Sequence, residues 1–108
     1  MGDSRNIYRA LEGLSQSYFA LGEYQSSSLR FLSEWLEEAR NNNNLQEQLL
    51  ALSLGGDYYQ EFGSVENALN LYQQALTIAK TLDDEARIAL LTNKIAQIIS
   101  VYPQFISR

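Results

Sequence analysis

The chain repeats itself with a period of about 40 residues, and this repeat limits the fold more than any other feature of the sequence. Leu11 begins the first copy, LEGLSQSYFALGEYQSSSLRFL, and Leu52 begins the second, LSLGGDYYQEFGSVENALNLYQ, at an offset of 41. The offset falls to 40 in the next stretch, where WLEEAR (35–40) aligns with ALTIAK (75–80). Thr92 begins a partial third copy, TNKIAQIISVYPQF. Recurrence at this period is typical of repeat architectures.

Each copy contains the apolar spacing of two helices. The clearest stripe has the 3-4 spacing of one helical face and runs through Val65, Ala68, Leu69, Tyr72, Ala75, Leu76 and Ala79. Ser64 is its candidate N-cap, and Gly22 and Gly63 are candidate C-caps of the helices before them. The asparagine run 41–44 predicts a turn. The pattern predicts helices over 5–21, 24–40, 45–62, 65–81 and 85–102, with Asp83 and Asp84 at the start of the last.

Composition excludes several classes of function. The 108 residues suffice for one domain, 1–108, and they include no cysteine and no histidine. Disulfides, thiolate nucleophiles, the usual zinc ligands and the commonest general base are therefore absent. The net charge of −5 is spread evenly along the chain, so nucleic acid and anionic membranes are poor partners. With no membrane-spanning run and no signal-peptide pattern, we expect a cytoplasmic protein that binds no metal and no cofactor.

The repeat resembles the tetratricopeptide family, in the longer variant found in kinesin light chains and bacterial signalling proteins. The residues that carry the resemblance are Leu52, Gly55, Gly56, Tyr59, Gly63, Ala68, Tyr72 and Ala75 in the second copy, and Leu11, Leu14, Ser15, Tyr18, Gly22, Tyr24 and Phe31 in the first. The resemblance implies an all-α, right-handed superhelix of about five antiparallel helices. Its units would be repeat 1 at about 5–41, repeat 2 at about 45–81, and a partial repeat or capping helix at about 84–102.

The glycine-rich stretch SLGGDYYQEFGS (53–64) is predicted to be structural. A phosphate-binding loop needs a lysine after its last glycine and a preceding strand, and this stretch has neither. We expect Gly55 and Gly56 to lie where two helices approach closely. Tyr18, Tyr59 and Tyr72 are expected to pack in the core. Any of Tyr8, Tyr24, Tyr58, Tyr102 and Trp35 that is exposed would be an interface anchor.

The resemblance also implies a concave binding surface lined by the first helix of each repeat. By position, this groove would contain Arg9, Glu12, Gln16, Phe19, Ser53, Asp57, Gln60, Glu61, Asn93 and Gln97. Amide, hydroxyl and acidic groups predominate there, which suits a protein or peptide partner with basic character. The expected function is a non-catalytic protein-interaction or scaffold module.

Two alternatives remain open at this point. The fifth helix is apolar on several sides, so the chain could form a homodimer through Ile95, Ile98, Ile99 and Tyr102. From another class, the chain could be a small-ligand-binding regulator or an enzyme with a pocket among the tyrosines. Asp57 and Glu61 stand one helical turn apart, but paired catalytic carboxylates need a closed cleft, which an open solenoid groove does not supply.

Overall fold

The computed structural model describes residues 3–22 and 25–105 and is all-helical over these ranges. Its α-helices are α1 (Asp3–Leu21), α2 (Gln25–Asn41), α3 (Leu45–Glu61), α4 (Val65–Thr81) and α5 (Glu85–Val101), followed by a 3₁₀ turn at Pro103–Phe105. Each helix packs on the next one along the chain, and α1 also touches α3. The predicted all-α class and the five consecutive helices are confirmed, with ends that differ only slightly from the predicted ones.

The helices recur at a strict interval. The four helices from α2 to α5 have 17 residues each and begin at 25, 45, 65 and 85. One copy of the sequence repeat therefore comprises two helices with their connections. The offset between Gly22 and Gly63 is 41, whereas the offset between the starts of α2 and α4 is 40. The extra residue of the first copy falls at 23–24, outside the described residues, as does the predicted helix start at Tyr24.

The connections share one backbone conformation. A residue in the left-handed region precedes α3, α4 and α5, namely Asn43 (φ 54°), Gly63 (φ 84°) and Asp83 (φ 56°). Gly22 after α1 has the same conformation, with φ 75°. Glycine adopts this region without steric cost, and asparagine and aspartate tolerate it better than other residues. Two predictions are thus confirmed. Gly22 and Gly63 follow the ends of helices, and the asparagine run forms a turn.

The residue after each of Asn43, Gly63 and Asp83 is the N-cap of the next helix. The Asn44 side chain accepts a hydrogen bond from the backbone N–H of Glu47 at 3.0 Å, and the Asp84 side chain accepts one from that of Arg87 at 3.1 Å. Ser64 occupies the predicted N-cap position but makes no such bond. Its hydroxyl instead accepts from the Asn67 side chain at 2.7 Å. The start of α4 is thus less well capped than the starts of α3 and α5.

The neighbouring aspartates Asp83 and Asp84 should respond in opposite ways to substitution. Asp83→Gly should raise the free energy of unfolding by about 0.5–1 kcal/mol, because glycine removes the left-handed strain. Asp84→Ala should lower it by about 1 kcal/mol, because α5 loses its N-cap. Both changes remove one negative charge, so urea titrations of the two variants separate backbone from charge effects. Stabilisation by both would indicate that charge dominates.

Two groups of buried side chains form the core. The larger runs through α3, α4 and α5 and contains Leu49, Leu52, Ala68, Leu69, Tyr72, Ala75, Ala79, Leu91 and Ile98. The smaller joins α1, α2 and α3 and contains Tyr8, Trp35, Ala39 and Ala51. The expected packing role of Tyr72 is confirmed, while Tyr18 and Tyr59 are half-buried.

The aromatic residues considered as interface anchors are mostly inside. Tyr8, Trp35 and Tyr58 are each buried, because α1, α2 and α3 close over them, and they cannot anchor a partner. Tyr102 is exposed at the end of α5. The apolar spacing predicts that these aromatic residues lie on helices. It does not show which side of each helix is buried.

Gly55 and Gly56 lie where helices approach closely, as predicted. A Cβ at Gly56 would lie 2.4 Å from Cε1 of Tyr72, and a Cβ at Gly55 would lie 2.8 Å from Cδ1 of Leu71 and 3.0 Å from Cδ2 of Leu32. Real side-chain carbons do not approach so closely. The two missing Cβ atoms therefore let α3 lie against α2 and α4.

Candidate functional site

A groove of about 400 Å³ lies between α1 and α3. Its lining comprises Gln16, Phe19, Leu54, Asp57, Tyr58, Gln60 and Glu61. Five of these are predicted groove residues, which the fold brings together from equivalent helices of successive repeats. Leu54 and Tyr58 were not among them, although both stand at helical spacing from Glu61 and so share its face of α3.

The floor of the groove is aromatic. The ring of Phe19 stacks on Tyr58 with centroids 4.1 Å apart and planes 9° apart, and Phe62 lies 5.6 Å from Phe19. The Tyr58 hydroxyl lies 3.4 Å from the Ser15 hydroxyl in the interior. Burial raises the pKa of Tyr58, while the Ser15 hydrogen bond acts in the opposite direction. The phenol therefore stays neutral at physiological pH, and the half-buried Phe19 ring offers apolar surface to a ligand.

Asp57 at the edge of the groove is already paired. Its carboxylate accepts hydrogen bonds from the Tyr72 hydroxyl and from Lys94 Nζ, the latter at 2.7 Å. The Lys94 amine also lies 5.4 Å from the Tyr72 ring centroid, and Gln60 Oε1 lies 3.0 Å from the Tyr72 hydroxyl. Burial, followed by the contact with Asp57, raises the pKa of Tyr72. These contacts tie α3, α4 and α5 together and largely neutralise the Asp57 charge.

Glu61 is the acidic group of the groove that remains available. It is exposed at the end of α3, and no ion pair joins it to another described residue. It lies one helical turn from Asp57 and beside the aromatic floor. A cation bound at this rim would therefore meet Glu61 before it could compete with Lys94 for Asp57.

Arg9 and Glu12, two further predicted groove residues, serve an internal network. Arg9 forms ion pairs with Glu12 and with Glu47 at the start of α3. Trp35 Nε1 donates to the same Glu47 oxygen at 2.8 Å, and the Arg9 guanidinium lies 5.8 Å from the Trp35 ring. The network links α1, α2 and α3 beyond the groove lining, so neither residue has a free charge to offer a ligand.

The remaining predicted groove residues are dispersed. Gln97 lines a second groove of about 380 Å³ formed by α3, α4 and α5. Gln60 lines both grooves, so the two grooves adjoin each other. Ser53 is half-buried, its hydroxyl is enclosed and no described group bonds to it. Asn93 is exposed and lines neither groove.

The residues considered for self-association on α5 are not one exposed face. Ile98 is 3% exposed and belongs to the core, because α5 turns this side towards α3 and α4. Ile95 packs against the same core, and Ile99 is half-buried. Of the four, Tyr102 is the most accessible, at 37% exposed. The expectation therefore fails for Ile98, which is not available to a second chain in the folded protein.

Comparison of the chain with protein-family models, with curated proteins and with solved structures finds no match in any of the three. Across the described helices, no group of three or more acidic side chains is placed to hold a metal ion. Within the same ranges, no helix combines the length and the apolar character that crossing a bilayer requires.

Proposed function

We propose that the chain is a cytoplasmic, non-catalytic module of tetratricopeptide type that binds a segment of another protein in the groove between α1 and α3. One observation carries this proposal, namely the meeting of residues from two equivalent helices around an aromatic floor with an unpaired acid at its rim. Recognition grooves commonly combine apolar surface with a few polar groups that orient the ligand.

The lining indicates what the bound segment should contain. Phe19 and Leu54 offer apolar surface to one large apolar side chain, and Glu61 can pair with a lysine or arginine beside it. Gln16 and Gln60 can exchange hydrogen bonds with the peptide backbone. No basic side chain lines this groove, so an acidic segment would meet only like charge.

The geometry supports binding over hydrolysis. Two carboxylates that act as acid and base must both be free to contact substrate. Asp57 is held by Lys94 and Tyr72, which leaves Glu61 without a second free carboxylate beside it. The whole chain also contains no histidine and no cysteine to act as base or nucleophile.

A peptide array tests the proposal. The array carries peptides in which one Leu, Phe or Trp is flanked by Lys, Gln or Glu. We expect the strongest binding where an apolar residue neighbours Lys, and a loss of about tenfold or more in Glu61→Lys, because charge complementarity becomes repulsion.

The matched control is Glu37→Lys, which makes the same charge change on α2, away from the groove lining. This variant should bind the selected peptide within about twofold of the unmodified chain. An equal loss in both variants would mean that overall charge, and not the groove, attracts the peptide. Failure of every peptide to bind at about 1 mM would contradict the proposed function.

A further inference from the structure

The ion pair between Asp57 and Lys94 lies where the groove between α1 and α3 has two uncharged side chains. Gln16 of α1 and Leu54 of α3 both line that groove. One repeat further along the chain, Asp57 takes the position of Gln16 at an offset of 41, and Lys94 takes the position of Leu54 at an offset of 40. Thus α3 and α5 carry an acid and a base at the two positions that α1 and α3 use to line a groove.

The second groove differs from the α1–α3 groove at this point. Three of its lining residues on α5 correspond, at the offset of 40, to residues of α3 that line the α1–α3 groove. They are Gln97, Ile98 and Val101, the equivalents of Asp57, Tyr58 and Glu61. Asp57 and Lys94 do not line the second groove, and their charged atoms lie 2.7 Å apart. The charges of this pair are therefore presented to the α1–α3 groove, which Asp57 lines.

One oxygen of the Asp57 carboxylate remains open to a ligand. The Tyr72 hydroxyl and Lys94 Nζ both donate to Oδ1. No described residue bonds to Oδ2, and the Asp57 side chain is 42% exposed. A hydrogen-bond donor of a bound segment can therefore reach Oδ2 without displacing Lys94. Which donor binds best depends on its charge, because the Lys94 cation lies beside the carboxylate.

Two contacts hold Lys94 in place. Its amine forms the ion pair with Asp57 and lies 5.4 Å from the ring centroid of the buried Tyr72. A cation over an aromatic ring is attracted by the negative face of the ring. A ligand would have to break both contacts to replace Lys94, whereas it can approach Oδ2 with the amine still in place. Lys94 is therefore a fixed part of the site.

We propose that Lys94 sets the charge selectivity of the α1–α3 groove and limits the bound segment to one basic residue, which pairs with Glu61. A second ligand cation near Asp57 would be attracted by the carboxylate and repelled by the Lys94 ammonium at nearly the same distance, so the two effects largely cancel. A neutral donor, such as an amide side chain, bonds to Oδ2 without this repulsion. The inference rests on the proposed function, because it concerns the segment bound in that groove.

Two matched peptides test the inference. Both contain one leucine next to one lysine, and they differ only at the position two residues from that lysine, where one has glutamine and the other a second lysine. In an extended segment, side chains two residues apart point the same way and stand about 7 Å apart. This distance is close to the spacing of about 5–6 Å between Cβ atoms one helical turn apart, as in Asp57 and Glu61. Each peptide is made with the varied position on either side of the leucine–lysine pair.

Lys94→Met should change the preference between the two peptides. The unmodified chain should bind them within about twofold of each other. Lys94→Met keeps a long apolar side chain beside Tyr72 but removes the charge, and it should bind the two-lysine peptide about fivefold more tightly than the glutamine peptide, as expected for one added exposed ion pair. Adding Asp57→Asn should abolish this preference. Isothermal titration calorimetry gives the dissociation constants, and a purely structural effect would change both peptides equally.

Lys80→Met is the matched control, because Lys80 is exposed near the end of α4 and lines neither groove. It should keep the preference of the unmodified chain within about twofold. Equal binding of the two peptides by Lys94→Met, or the same gain in Lys80→Met, would overturn the inference. The proposed function would still stand if the unmodified chain bound the glutamine peptide.

Absence of binding by every variant at about 1 mM would overturn both the inference and the proposed function. If Lys94→Met does not fold by circular dichroism, Lys94→Gln replaces it. Glutamine removes the charge but can still donate a hydrogen bond to Asp57, so the same preference for the two-lysine peptide is expected.

Discussion

Gly56→Ala should lower the free energy of unfolding by about 2 kcal/mol, although alanine is the better helix former. The added Cβ would lie 2.4, 2.6 and 2.9 Å from three carbons of the Tyr72 ring. Tyr72 is fully buried and its hydroxyl is held by Asp57, so the ring cannot move away cheaply. Overpacking of about 3 kcal/mol should exceed the gain of about 1 kcal/mol in helix propensity.

Two other glycine substitutions serve as matched controls. Gly13→Ala meets nothing within 4 Å on an exposed face of α1 and should raise the stability by about 0.5–1 kcal/mol. Gly55→Ala meets the ends of the flexible Leu71 and Leu32 side chains, and its effect should lie between the other two. Urea titrations monitored by the fluorescence of the single tryptophan, Trp35, give the three values. A stabilised Gly56→Ala would contradict the close approach of α3 and α4.

Trp35→Ala should have the largest effect of any single substitution considered, about 3–5 kcal/mol of destabilisation. Trp35 is 1% exposed and fills the space between Tyr8, Ala39 and Ala51. Its loss leaves a cavity where α1, α2 and α3 meet and removes a donor from Glu47. A domain of this size is commonly stable by only about 5–15 kcal/mol, so the variant should melt at a much lower temperature. Far-ultraviolet circular dichroism follows the transition.

Trp35→Phe separates the volume of the indole from its hydrogen bond. Phenylalanine retains most of the apolar volume but cannot donate to Glu47, which keeps its ion pair with Arg9. We expect a loss of about 1–2 kcal/mol. If Trp35→Phe and Trp35→Ala were equally destabilised, the hydrogen bond to Glu47, and not the packing, would hold the three helices together.

The helices and their close approaches were predictable from the sequence for a physical reason. Apolar residues at 3-4 spacing define a helix face within a single segment. Gly55 and Gly56 have no Cβ atom, and this absence allows a neighbouring helix to come close. These signals are local, so they do not depend on how the segments are arranged. The same applies to Gly22 and Gly63, whose positive φ angles follow from the turn that each helix end requires.

The candidate site was only partly predictable, because its character depends on contacts between helices. Equivalent positions placed Gln16 and Phe19 opposite Asp57 and Glu61 correctly. They could not show that Lys94 of α5, which is 37 residues away in sequence, forms an ion pair with Asp57. Likewise, the apolar pattern of α5 does not show which of its sides packs on the core, so Ile98, which is buried, is among the residues considered for self-association.

The uniform succession of helices also affects how the protein opens. Each helix packs mainly on its neighbours in sequence, so few contacts join residues that are far apart in the chain. Folding should therefore be fast for a chain of this length. The terminal helices α1 and α5 are covered on fewer sides than α3, and Gly56 packs α3 tightly against α4. Amide protons should therefore exchange first in α1 and α5 and last in α3 and α4, because local unfolding begins at the two ends of the array.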